Sequence, residues 1–139
     1  MIYGVTLFCE DVREEKAPLV SLIGIMPDNL VIGEFPSAIP RIAFYTRVIF
    51  SLDFSPKNPV RVMIRVPGAP EEFKSQEVGV LTFDMIKEAK TSQTGLCSAY
   101  SYAAAYNFLI PEAGHLTVYL EVDGEEIITG VVNLALPSA

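Results

Sequence analysis

RIAFYTRVIFSLDF, residues 41–54, decides the fold. Its even positions Ile42, Phe44, Val48, Phe50, Leu52 and Phe54 are apolar, and its odd positions include Arg41, Arg47, Ser51 and Asp53. A period of two belongs to a β-strand, whose successive side chains point to opposite sides. One face of this strand is expected in a core and the other in solvent, the usual arrangement in an antiparallel sheet.

Working outward, the same alternation recurs. In PVRVMIRV (59–66), Val60, Val62, Ile64 and Val66 oppose Arg61, Met63 and Arg65. In HLTVYLEVD (115–123), Leu116, Val118, Leu120 and Val122 read as inward, with Thr117, Tyr119 and Glu121 outward. SPKNP (55–59) separates the two middle runs, and EEKAP (14–18) closes a first hairpin between IYGVTLFC and LVSLIGIM. Asp123-Gly124 is the pair favoured in a tight hairpin turn, and it leads into IITGVVNLAL. NLVIG (29–33) adds a short strand, and the prolines of EFPSAIP (34–40) stiffen a connection by fixing φ.

Two segments read differently. TFDMIKEAK (82–90) predicts a short helix with Thr82 as its N-cap. SAYSYAAAYNFLI (98–110) reads as strand or helix; the strand is preferred, with Tyr100, Tyr102, Tyr106, Phe108 and Ile110 on one inward face. The expectation is an all-β chain: one antiparallel β-sandwich domain over 1–139, of seven to nine strands with at most one short helix.

Composition bounds the function. Hydrophobic residues make up 50% of the chain and charged ones 19%, against roughly 25% charged in an average soluble protein. That apolar excess must thicken the core or face another chain. A net charge of −7 argues against nucleic acid, which demands a dense positive footprint. No apolar run approaches the roughly 20 residues of a membrane helix, so no membrane partner is expected. The N-terminus lacks the basic segment of a secretory signal, so a cytoplasmic location is expected. Cys9 and Cys97 form neither a disulfide framework nor a zinc pattern.

Cys9-Glu10-Asp11-Val12-Arg13 after an apolar strand, then LIGIM (22–26), Phe35-Pro36, Ile39-Pro40 and the late IPEAGHLTVYLEVDGEE, resembles an uncharacterised group of small bacterial and phage-associated β-sandwich proteins. The resemblance implies the fold and a phage-associated setting. It implies no activity.

Candidate sites divide by chemistry. LFCEDVREE (7–15) crowds a thiol, four carboxylates and an arginine. On a strand, Tyr3, Val5, Leu7 and Cys9 share one face, so that row is expected to enter the core and the acids to form a solvated hairpin end, where Arg13 bridges to Glu10 or Asp11. Metal candidates are Glu10, Asp11, Asp123 and Glu125; a hard cation requires several carboxylate oxygens converging on one point, and turn chemistry accounts for these acids without one. His115 is the single histidine and is expected to point away from the core. There is no G-x-S-x-G, no Walker-type loop and no dinucleotide fingerprint, so neither a catalytic residue nor a cofactor is assigned.

The outward face of the middle runs holds Arg41, Tyr45, Arg47, Ile49, Arg61, Met63 and Arg65 on what reads as one strand pair, with Asp53 or Glu121 placed to neutralise Arg61. Arginine, tyrosine and methionine are enriched in protein interfaces. The expectation is a non-catalytic interaction or assembly module, a homo-oligomer or the partner of another protein. The alternatives are a metal- or small-molecule-dependent enzyme on loops near Asp11, His115 and Asp123, and a ligand-binding module using Tyr102 and Tyr106.

Overall fold

The computed structural model describes residues 1–91 and 95–138. Within them the chain is mostly strand, with one α-helix and a 3-10 turn at Glu71–Phe73. The strands are β1 (Ile2–Glu14), β2 (Val20–Ile25), β3 (Asn29–Val31), β4 (Ser37–Ser51), β5 (Val60–Arg65), β6 (Ser75–Leu81), β7 (Leu96–Ile110), β8 (Gly114–Val122) and β9 (Glu125–Ala135); α1 (Phe83–Thr91) joins β6 to β7. A first sheet has the order β2-β1-β4-β7 and a second the order β3-β9-β8-β5-β6.

The first sheet is antiparallel throughout, but the second is mixed, because β3 runs parallel to β9. The expectation of purely antiparallel pairing is therefore corrected. After β2 the chain crosses from the first sheet to the far edge of the second. It arrives beside β9 in the same direction, held by Asn133 N–H on the Asp28 carbonyl at 2.8 Å.

Alternation works where the sequence is strongest. Ile42, Phe44, Val48 and Phe50 of β4 meet Val62 and Ile64 of β5, and Leu116, Val118 and Leu120 of β8, in a single core. Phe8 packs edge-on against Phe44, with ring centres 5.8 Å apart. Thr82 caps α1 as expected, its hydroxyl accepting the Met85 amide at 3.2 Å. Asp123 and Gly124 both take positive φ, 48° and 88°, as a tight hairpin turn of the primed type requires.

The two layers approach closely between β1 and β9. A Cβ on Gly130 would lie 2.9 Å from the Thr6 carbonyl, and one on Gly4 would lie 3.0 Å from the Thr129 methyl. Beside these glycines three buried hydroxyls form a chain. Thr6 bonds both Thr46 and Thr129 at 2.7 Å, and Thr129 donates to the Val118 carbonyl at 3.2 Å. Each polar atom taken from water is thus satisfied.

Two expectations about strand faces are overturned by the same circumstance. The β1 row Tyr3, Val5 and Leu7 is exposed, while Thr6 and Phe8 are buried. In β7, Tyr100 and Tyr106 are exposed, and the inward side of this stretch is lined by Ala99 and Ala105. Where the layers approach closely, the inward positions hold small or hydroxyl residues and the larger apolar ones turn outward. Asn107, at φ 52°, then turns β7 over, so that Phe108 and Ile110 reach the core although Tyr106 does not.

Candidate functional site

The middle runs do not form one strand pair. β4 belongs to the first sheet and β5 to the second, so Arg41, Tyr45, Arg47 and Ile49 lie on one sheet, and Arg61, Met63 and Arg65 on the other. SPKNP is a link between layers rather than a hairpin turn. Asp123 anchors that link. Its carboxylate accepts the backbone amides of Lys57 and Asn58, each at 3.0 Å, and the Asn58 side-chain amide at 3.2 Å. These donors hold its carboxyl below the usual carboxylate range, the Lys57 amide foremost.

On the second sheet the outward charges satisfy one another. Arg61 lies between Glu77 at 2.7 Å and Glu121 at 3.0 Å, not opposite Asp53, which takes the Ser51 hydroxyl instead. Arg65 forks onto both oxygens of Glu126 at 2.9 and 3.0 Å, and lies 4.6 Å over the Tyr119 ring. Met63 and Tyr119 are buried beneath these pairs.

The first sheet differs. Strand register sets its outward residues in a grid: Tyr3 beside Ile49 and Ser98, Val5 beside Arg47 and Tyr100, Leu7 beside Tyr45 and Tyr102. Tyr3, Val5, Leu7 and Tyr100 are 42, 54, 38 and 42% exposed, so this is apolar surface in contact with water. Tyr45 stacks on Tyr100 with ring centres 5.7 Å apart, and Tyr100 on Tyr102 at 6.4 Å. Arg47 stands exposed in the middle row and, among the described residues, forms no ion pair. Arg41, farther along β4, pairs with Asp11 at 2.7 Å, which replaces the expected contacts of Arg13.

One end of the grid has a wall. Leu7 shares a row with Tyr102, so a straight β1 would carry Glu14 more than about 20 Å beyond it at ~3.3 Å per residue. Instead Glu14 accepts a hydrogen bond from the Tyr102 hydroxyl. The distal part of the β1–β2 hairpin therefore curls back over the sheet, which accounts for Cys9 and Ala43 being fully buried on an otherwise exposed side. Burial pushes the Cys9 thiol up, away from the reactive thiolate.

The acidic and histidine candidates do not come together. Asp11 is engaged by Arg41 and Asp123 by the 57–58 backbone. His115 is exposed beside Asn133 near the opposite end of β8 from Asp123. Glu10 is exposed next to Gly24, and Glu125 is exposed at the start of β9. Among the described residues no three of His, Cys, Asp and Glu are placed to share a metal ion, and no helix is long and apolar enough to cross a membrane.

Tyr3, Val5, Leu7 and Tyr100 are the surface residues that sequence reasoning missed. Their signal was Gly4 and Thr6 on the other side of β1, residues suited to a close approach between layers. Compared with family models, with curated proteins and with solved structures, the chain gives no match.

Proposed function

We propose that the chain is a non-catalytic β-sandwich module that acts by binding protein, through the outer face of its first sheet. One observation carries this reading: Tyr3, Val5, Leu7, Tyr45, Ile49 and Tyr100 form a contiguous apolar face around Arg47, which has no acidic partner among the described residues. An exposed apolar patch with aromatic anchors and an available arginine has the composition of an interface centre. Of the residues first grouped as an interface, Tyr45, Arg47 and Ile49 stay in this reading. Arg41 borders it, and Arg61, Met63 and Arg65 leave it because their groups are engaged within the second sheet. A phage-associated setting belongs to the proposal on the resemblance carried by Cys9–Arg13, LIGIM (22–26), Phe35-Pro36, Ile39-Pro40 and IPEAGHLTVYLEVDGEE.

The test is substitution on the face. Val5→Glu and Arg47→Glu are expected to abolish complexes made through this face with other proteins, read by affinity capture. Both side chains point into solvent, so circular dichroism and Tm are expected to stay near wild type. Captured proteins that are retained by both variants would sink the reading.

A further inference from the structure

Strand β7 is an edge of the first sheet, hydrogen-bonded to β4 alone. It runs for 15 residues, LCSAYSYAAAYNFLI contains no charged residue and no proline, and the only positive φ within it is that of Asn107, beyond Tyr106. Folded proteins guard such edges with short strands, lysines, prolines, bulges or a cover, because an open row of amides and carbonyls templates the pairing of another strand. The other three edges carry those guards. β3 is three residues long. β2 is six residues long and contains Gly24 at φ 67°. β6 carries Glu77 and faces a register shift between Val62 and Met63. Helix α1 packs near the beginning of β7 and Gly79 of β6 lies against Ser101 on its inner side, but from Tyr100 to Tyr106 no backbone group bonds anything beyond β4 among the described residues.

We infer that the open edge of β7 pairs with the β7 of a second copy of this chain, antiparallel about a two-fold axis at Ala104, joining two first sheets into one. The inference rests on reading the chain as an assembly module, and names the partner. Three observations favour a second copy. First, a chain of net charge −7 repels itself wherever acids line the contact, and β7 itself contributes none, Glu14 reaching only the Tyr102 hydroxyl. Second, a two-fold antiparallel pair requires only one strand, and centring it on Ala104 sets Tyr102 opposite the partner's Tyr106 on the same outward face. Ala103, Ala104 and Ala105 keep the crossing point free of bulk. Third, backbone pairing alone falls short of the about 800 Å² per subunit that stable interfaces bury. The edge is flanked by Leu96, Tyr100, Tyr106, Leu109 and Phe73, all 42–65% exposed. Their apolar surface supplies the remainder, at ~100 Å² for each of the larger side chains.

The experiment is native mass spectrometry of the intact protein beside three variants. Wild type is expected to be dimeric. Ala104→Cys is expected to form an interchain disulfide under mild oxidation, since facing residues of paired strands lie within disulfide reach and both native thiols are buried. Ala104→Lys is expected to weaken the dimer by about tenfold or more. Arg47→Glu is expected to leave it intact, because Arg47 points from the face and not from the edge. A monomeric wild type overturns the inference. So does a dimer that Arg47→Glu abolishes but Ala104→Lys does not, an outcome that would uphold the face as the interface and exclude the edge. A dimer that fails to cross-link through position 104 also overturns it.

Discussion

The two outer faces of this molecule are built from strands of similar alternation, yet they end in opposite electrostatic states. On the second sheet each arginine has a carboxylate of its own, and Tyr119 lies under Arg65 with 3% of its surface exposed. On the first sheet Arg47 has none among the described residues, and Tyr3 and Tyr100 beside it are open to water. A face that satisfies its own charges and covers its own apolar groups contributes to folding. A face that leaves both unsatisfied is available to something outside the chain.

The sharpest way to break this contrast is to delete one ring from each face. Tyr119→Ala removes a buried aromatic and is expected to cost about 3–5 kcal/mol, read as a loss in chemical denaturation midpoint. Tyr100→Ala is expected to cost about 1 kcal/mol or less. Equal costs would mean that the first-sheet face is as much a part of the folded core as the second.

A smaller effect separates the arginines. Arg61→Met breaks two ion pairs that are themselves partly solvated, so a loss of about 1 kcal/mol at most is expected. Arg47→Met is expected to leave thermal stability within about 0.5 kcal/mol of wild type, because no ion pair is lost.

The least effect lies in the pH dependence of Tm, where Asp123 and Tyr102 respond at opposite ends of the scale. The depressed carboxyl of Asp123 contributes stability that is present above its unfolded-state pKa and lost as pH falls through its lower folded value. The Tyr102 hydroxyl, donating to Glu14, is pushed up, so its contribution is present below the ordinary tyrosine range and lost as pH rises through the folded value. Asp123→Asn, which keeps an Asn-Gly turn, is expected to flatten the acid limb alone, and Tyr102→Phe the alkaline limb alone. A variant that moves the opposite limb would show that the assignment is wrong.

How far the sequence could be read depended on which physical quantity each element turns on. Alternation in 41–51, 60–66 and 115–122 identified strands and their inward faces, because in those strands one side is plainly more apolar; Leu52, read in the same row, lies past the end of β4 and is exposed. Thr82 and Asp123-Gly124 were readable from local chemistry: a hydroxyl that caps, and a pair that accepts positive φ. Pairing was not readable. Alternation says which residues of a strand share a side, but not which strand lies alongside, so β4 and β5 read as a hairpin although they belong to different layers. The faces of β1 and β7 were misread because hydrophobicity ranks Tyr3, Val5 and Leu7 above Gly4 and Thr6. In these strands, clearance between layers decides which side goes in. The candidate face was hidden by that same ranking.

The contact of Gly130 with the Thr6 backbone also limits how this sequence can drift. Most strand positions here tolerate exchange among apolar residues of similar volume. Any side chain at position 130 would press on a carbonyl that is fixed in the sheet and has no rotamer through which to retreat. At this point the layer spacing is inherited through the absence of a side chain, and divergent copies of this chain are expected to keep the glycine while positions around it vary.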